Sequence, residues 1–169
     1  MFTDADWASE GTDRKSVNAA LMYMNGMLVS WHCNKQALVA LSTMESEFVS
    51  AANGIREAMG CYHLVKELNQ SINLPILLRM DNQAAIASIM NEASSSKTKH
   101  VDIKHKFIKD LYQYKFIKPS YVTTTDMKAD ILTKIMPGST FVRLRSLIGI
   151  NAPGYHEGKI RGGVLDGTV

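Results

Sequence analysis

The sequence predicts an α/β domain built on a mixed central sheet, antiparallel in its first half and parallel behind, with helices flanking it. Three observations carry that expectation. Two apolar runs meet at Asn25-Gly26, apolar residues recur every three or four positions from 42 to 68, and further strand-like and helix-like segments then alternate toward the C-terminus. Single crossovers between the later strands make them parallel and right-handed.

Residues 1–4 read as a strand stub followed by a polar loop over 9–15. A central strand usually needs about five or six residues, so the first strand reads as truncated. Runs 20–24 and 27–31 form a hairpin, because both central residues of a type I′ turn need positive φ and Asn-Gly supplies them cheaply. Residues 36–41 are expected to supply a third strand edge or approach. The long helix follows over 42–68, with Phe48, Ala51, Ala52, Ile55, Met59, Tyr62 and Val65 as its buried stripe. Ser42-Thr43-Met44-Glu45 is a capping box at its start, in which Glu45 reaches back to the N-cap amide and leaves Glu47 for other work.

Behind Pro75, the apolar run 76–80 is a strand that stops at Asp81, where a helix over 82–90 begins. Ser94-Ser95-Ser96 marks a loop, and 101–112 reads as an amphipathic helix with Val101, Ile108, Leu111 and Tyr112 inward. Residues 116–122 are a strand in which Pro119 cannot donate to a ladder. A helix from about 123 to 135 ends at Pro137-Gly138, and 140–148 is the last helix. Residues 149–169 hold six of the eleven glycines and almost no apolar periodicity, so the domain is drawn over 1–150 and a flexible glycine-rich tail over 151–169.

Composition narrows the function. A 46% hydrophobic and 21% charged chain of this length can bury one core, and no apolar run approaches the ~20 residues that span a bilayer. Cys33 and Cys61 show no pairing motif, which fits a reducing intracellular compartment. The net charge of +3 is mild but uneven: residues 97–118 hold seven lysines against two aspartates. Lys99, Lys106 and Lys109 share a helical face that suits a phosphate backbone, the alternative being a solvated face. His100 and His105 lie five apart, about 140° around a helix, and cannot ligate one metal together; they read as surface histidines. Trp7 and Trp31 read as core or groove-wall residues.

Four acids stand where apolar elements begin or end: Asp4, Glu47, Asp81 and Asp130. Carboxylates gathered at such ends repel one another and lose hydration, and a hard divalent cation with oxygen ligands resolves both penalties. Each has a plainer alternative. Asp4 can shape a turn, Glu47 can be a solvated surface glutamate, Asp81 can cap the helix after it, and Asp130, a poor helix-interior residue, can pair with Lys134 four positions on.

In order along the chain, Thr-Asp-Ala-Asp-Trp-Ala, Asp-Arg-Lys-Ser, Val-Ser-Trp, Ala-Leu-Ser-Thr-Met-Glu-Ser-Glu, Asp-Asn-Gln-Ala-Ala-Ile, Lys-Thr-Lys-His-Val-Asp-Ile and Ala-Asp-Ile-Leu-Thr-Lys resemble the ribonuclease H domain of copia-type LTR retrotransposon polyproteins, over residues 1 to about 150. The resemblance implies a ribonuclease H-like fold and hydrolysis of the RNA strand of an RNA–DNA hybrid. It further implies two Mg²⁺ ions, replaceable by Mn²⁺, roughly 4 Å apart on Asp4, Glu47, Asp81 and Asp130, and an upstream reverse transcriptase domain in the parent polyprotein. The chain departs from the pattern at Ser16-Val17-Asn18-Ala19-Ala20, where relatives commonly read Ser-Thr-Ser-Gly-Tyr, at Val122-Thr123-Thr124, where they often read Val-Pro-Thr, and ahead of Met1, where the first strand reads as clipped. Many ribonuclease H enzymes also carry a histidine in the loop before the last acid, and residues 122–128 hold none. The clipped first strand and the altered second strand define the competing expectation, a catalytically inactive remnant that binds nucleic acid or protein.

Overall fold

A computed structural model describes residues 1–9, 12–91 and 99–150, with only the backbone at 99–102. The serine loop over 94–96 and the tail over 151–169 lie outside the described residues. Five strands form one sheet: β1 (Phe2–Asp6), β2 (Val17–Met24), β3 (Met27–Lys35), β4 (Ile76–Met80) and β5 (Ile117–Tyr121), in the order β3-β2-β1-β4-β5. The pairs β1/β2 and β2/β3 are antiparallel, while β4 is parallel to both β1 and β5. This is the mixed α/β sheet that the pattern predicts. Asn25 and Gly26 turn the hairpin with φ of 50° and 81°, as a type I′ turn demands. Pro119 sits in β5, the edge strand, where its missing donor costs no inner ladder bond.

Helix α1 (Thr43–Glu67) lies across β1 and β2, and α2 (Gln83–Met90) and α3 (Lys99–Gln113) complete that layer. Phe48, Ile55, Leu78, Met80, Ile89, Ile108 and Ile117 fill the core between layer and sheet. The opposite face is covered more thinly. A 3₁₀ turn (Thr124–Asp126), α4 (Asp130–Thr133) and α5 (Gly138–Leu147) lie there, and Met127, Ala129 and Ile148 at their ends form a second core with Phe2 and Leu21. Strand alternation thus sends Phe2 to the thin side and Met1 to the α1 side.

Four local expectations are corrected. Residues 36–41 form no strand: after one backbone bond from Gln36 to Ser16 O, the Gln36 side chain turns inward to Ser46 O and the segment delivers Ser42 to the start of α1. The Ser42 hydroxyl accepts from the Glu45 amide as a cap should, but the Glu45 carboxylate takes the Leu41 amide at 2.8 Å, one residue before the N-cap. No continuous helix spans 123–135; burial of Met127 and Ala129 pulls the chain inward between the 3₁₀ turn and α4, which leaves Asp130 at a helix start rather than an interior. Pro137 and Gly138 open α5 rather than closing a preceding helix, in keeping with proline's preset φ at helix starts.

Candidate metal centre

Strand β1 carries Asp4 and ends at Asp6, and β4 stops one residue short of Asp81. Because Phe2 pairs with Arg79 in a parallel register, two steps further along both strands set Asp4 beside Asp81 at the sheet's carboxyl edge. That edge, outside the strand ends, is where open α/β sheets form their sites. Glu47 enters from the first turns of α1, which Ser50 anchors to β1 and β2 by donating to Asp4 O at 2.7 Å and Ala19 O at 3.2 Å. Carboxylate oxygens of Asp4, Glu47 and Asp81 all lie within 4.8 Å of one another. The cap of α2 belongs to Asn82, whose side chain accepts from the Ala85 amide, so Asp81 is free of that duty. It accepts instead from the Thr124 hydroxyl at 3.2 Å.

Asp130 joins through a lysine. The Lys134 ammonium donates to Asp130 Oδ1 at 2.7 Å and to Asp4 Oδ1 at 3.2 Å, while the Thr133 hydroxyl donates to Asp4 Oδ2. The i,i+4 pairing of Asp130 with Lys134 was readable from sequence; the contacts of Thr133 and Lys134 with Asp4 were not, because a separation of some 130 residues leaves no local signal.

The electrostatics are those of an under-neutralised acidic cluster. Asp4 is fully buried and Glu47 is 5% exposed. Burial, then the charges of Asp4 and Asp81, push the Glu47 carboxyl up to about 9. Burial also raises Asp130 to about 6, against the hydrogen bond from Lys134 and with the help of Asp4's charge. Lys134 is held well above the ordinary ammonium range: burial opposes its charge, but Asp4 and Asp130 outweigh that opposition. Glu47 Oε2 is buried and has no hydrogen-bond partner among the described residues. An orphaned carboxylate oxygen among two further acids is the donor set of a hard, oxygen-liganded divalent cation, so the residues fit such an ion.

Other candidates fall elsewhere. Lys106 is exposed and Lys109 half-buried on α3, and the Lys99 and His100 side chains lie outside the described residues. His105 is not a surface residue: it is 6% exposed and stacks on Phe48, ring centroids 3.6 Å apart and planes 9° apart. Trp31 is 62% exposed rather than core, and Trp7 donates its indole N–H to Ala40 O. Cys33 and Cys61 are unpaired thiols, as expected. Among the described residues no helix is long and apolar enough to cross a membrane.

Comparison with known proteins places these features. The chain is 32% identical over 149 residues to the retrovirus-related Pol polyprotein from transposon RE1 of Arabidopsis thaliana, and 30% identical over 151 residues to that from transposon TNT 1-94 of Nicotiana tabacum. These alignments take in 88% and 89% of the chain but only 10% and 11% of the relatives, so it spans about a tenth of their length. No family model matches. Among solved structures, the N-terminal RNase H domain of Rv2228c from Mycobacterium tuberculosis superposes with a TM-score of 0.56 at 9% identity, covering 86% of this chain and 94% of that one. LC11-RNase H1 in complex with an RNA/DNA hybrid gives 0.55 at 11% identity, covering 78% and 90%.

Proposed function

Because the chain is homologous to one segment of the retrovirus-related Pol polyproteins of transposons and folds as a ribonuclease H-like α/β domain, we propose that it is the ribonuclease H domain of a copia-type polyprotein, occupying residues 1–150. Its reaction is hydrolysis of the RNA strand of RNA–DNA hybrids during reverse transcription. The observation that carries this reading is the meeting of Asp4, Glu47 and Asp81, from β1, α1 and the end of β4, within 4.8 Å, with Asp130 tied to Asp4 through Lys134. All four acids are assigned as ligands that would hold two Mg²⁺ ions, or Mn²⁺ in their place, which when bound would supply an activated water and a stabilised leaving oxygen.

The residues of the chain do the positioning. Asp4 and Asp81 stand on adjacent parallel strands, where main-chain ladders fix their spacing, and Ser50 locks the α1 end that carries Glu47 onto β1. Burial and the charges of Asp4 and Asp81 make Glu47 hold its proton more tightly than an ordinary carboxyl, so binding of a cation by this residue would be coupled to proton release. The lysines of α3, Lys99, Lys106 and Lys109, are assigned to the hybrid's phosphates, which position a duplex without reading its sequence. An upstream reverse transcriptase in the parent polyprotein supplies the hybrid.

Ala20, in the altered second strand, packs against Gly54 of α1 so closely that a Cβ on the glycine would lie 3.0 Å from the alanine's own. The test is incubation of a labelled RNA–DNA hybrid, and of duplex DNA of the same sequence, with the protein and Mg²⁺. Cutting confined to the RNA strand of the hybrid and abolished by EDTA is expected. Hybrid binding without cutting identifies a nucleic-acid-binding remnant instead.

A further inference from the structure

The motif Ala-Asp-Ile-Leu-Thr-Lys contributes more to the centre than Asp130. Both oxygens of Asp4 are engaged by the end of α4, Oδ2 by the Thr133 hydroxyl and Oδ1 by the Lys134 ammonium, which also holds Asp130. Lys134 donates no hydrogen bond to Glu47 or Asp81 and reaches Glu47 only through its charge, and among the described residues nothing hydrogen-bonds Glu47 Oε2. The centre therefore has two unlike halves: one between Asp4 and Asp130 with an ammonium hydrogen-bonded to both, and one where Asp4 meets Glu47 and Asp81, the latter two without such a bond. The Lys134 side chain is 33% exposed, which gives its flexible stem a route toward solvent.

We propose that Lys134 is a resident counter-cation of the metal centre, which a divalent ion must displace from between Asp4 and Asp130, so that the two halves fill unequally and Lys134 sets the ion concentration at which the second one fills. This rests on the assignment of the four acids as a metal centre. The Glu47/Asp81 half fills first, because an ion there displaces no seated ammonium and meets the carboxylate oxygen, Glu47 Oε2, that no described residue hydrogen-bonds. The Asp4/Asp130 half fills second, since the attraction gained by the ion is offset by the ion pairs it breaks.

The test is calorimetric titration of the folded protein with Mn²⁺, alongside thermal melts in EDTA and in saturating Mn²⁺. Two neutral replacements, Lys134→Met and Lys134→Gln, guard against one of them failing to fold, and Lys134→Arg retains the charge. The parent should show two unequal affinities. Either neutral variant should tighten the weaker one about fivefold, as expected for removal of a partly exposed ion pair, and should melt lower in EDTA but recover in Mn²⁺. Lys134→Arg should behave as the parent. Unchanged affinities, or a melting loss equal in EDTA and Mn²⁺, would show an ordinary structural ion pair and overturn the proposal. If the parent binds no Mn²⁺ and Asp81→Asn melts identically to it under both conditions, the metal centre itself is wrong and the proposal falls with it.

Discussion

Glu47 shows how one side chain records the chemistry of its site. Its carboxyl is pushed up to about 9 by burial and then by Asp4 and Asp81, whereas the unfolded chain releases that proton near the ordinary glutamate value of 4.5. Between those values the folded state binds more protons than the unfolded state, so folding stability in EDTA falls as pH rises from about 5 to 9, and Asp130 adds to the fall up to about 6. Glu47→Gln, which keeps the shape and cannot ionise, should flatten most of this slope and melt above the parent at pH 8, as read by denaturation across pH in EDTA. A slope identical to the parent's would assign the penalty to another group. The identity of this glutamate was legible because Glu45 had a capping role three residues into the helix. Asp130 begins α4 rather than interrupting a helix, so helix propensity gives it no signal, whereas the i,i+4 spacing to Lys134 does. His105 is buried rather than a surface histidine because it lies three residues before Ile108 on the same helical face, and that spacing is the signal the sequence carries.

Among the elements, those with strong local signals are where the sequence put them. The Asn-Gly hairpin, the 25-residue α1 and the strand Ile76–Met80 each rest on turn chemistry, capping or an unbroken apolar period. The segments around 36–41 and 123–135 were not legible in this way. Their courses are set by contacts distant in sequence: Gln36 with Ser46, and Met127 and Ala129 against Phe2 and Leu21. Helix α1 holds Glu47 in place only if it lies close on the sheet, and Gly54 permits that approach. A Cβ there would meet Thr3 Cγ2 and Met1 Cε at 2.8 Å. Met1 can swing aside, but Thr3 is β-branched and fully buried in the central strand. Gly54→Ala should therefore cost about 1–3 kcal/mol in urea unfolding, the range of an overpacked core, despite alanine's better helix propensity. A neutral or stabilising result would mean that α1 and β1 part more easily than their contacts imply.

At the scale of the whole molecule, two faces of one sheet meet at a single edge. The well-filled side sends Glu47 on α1, the thinly covered side sends Asp130 with Thr133 and Lys134 on α4, and the adjacent parallel strands β1 and β4 set Asp4 and Asp81 between them. Convergence on one edge follows from the parallel pairing of β1 and β4, which the alternation of strand and helix predicts. Which atoms touch depends on register and on α4's short course, and neither is written in a single sequence. The central claim is that these acids act as one metal-dependent catalytic centre, and Asp81→Asn tests it most directly, because it removes a ligand charge from a half-buried position without altering shape. Its cleavage of the RNA strand of a hybrid should fall below detection in Mg²⁺ while its melting in EDTA matches or exceeds the parent's. Cleavage at the parent's rate by a folded Asp81→Asn protein would contradict the account.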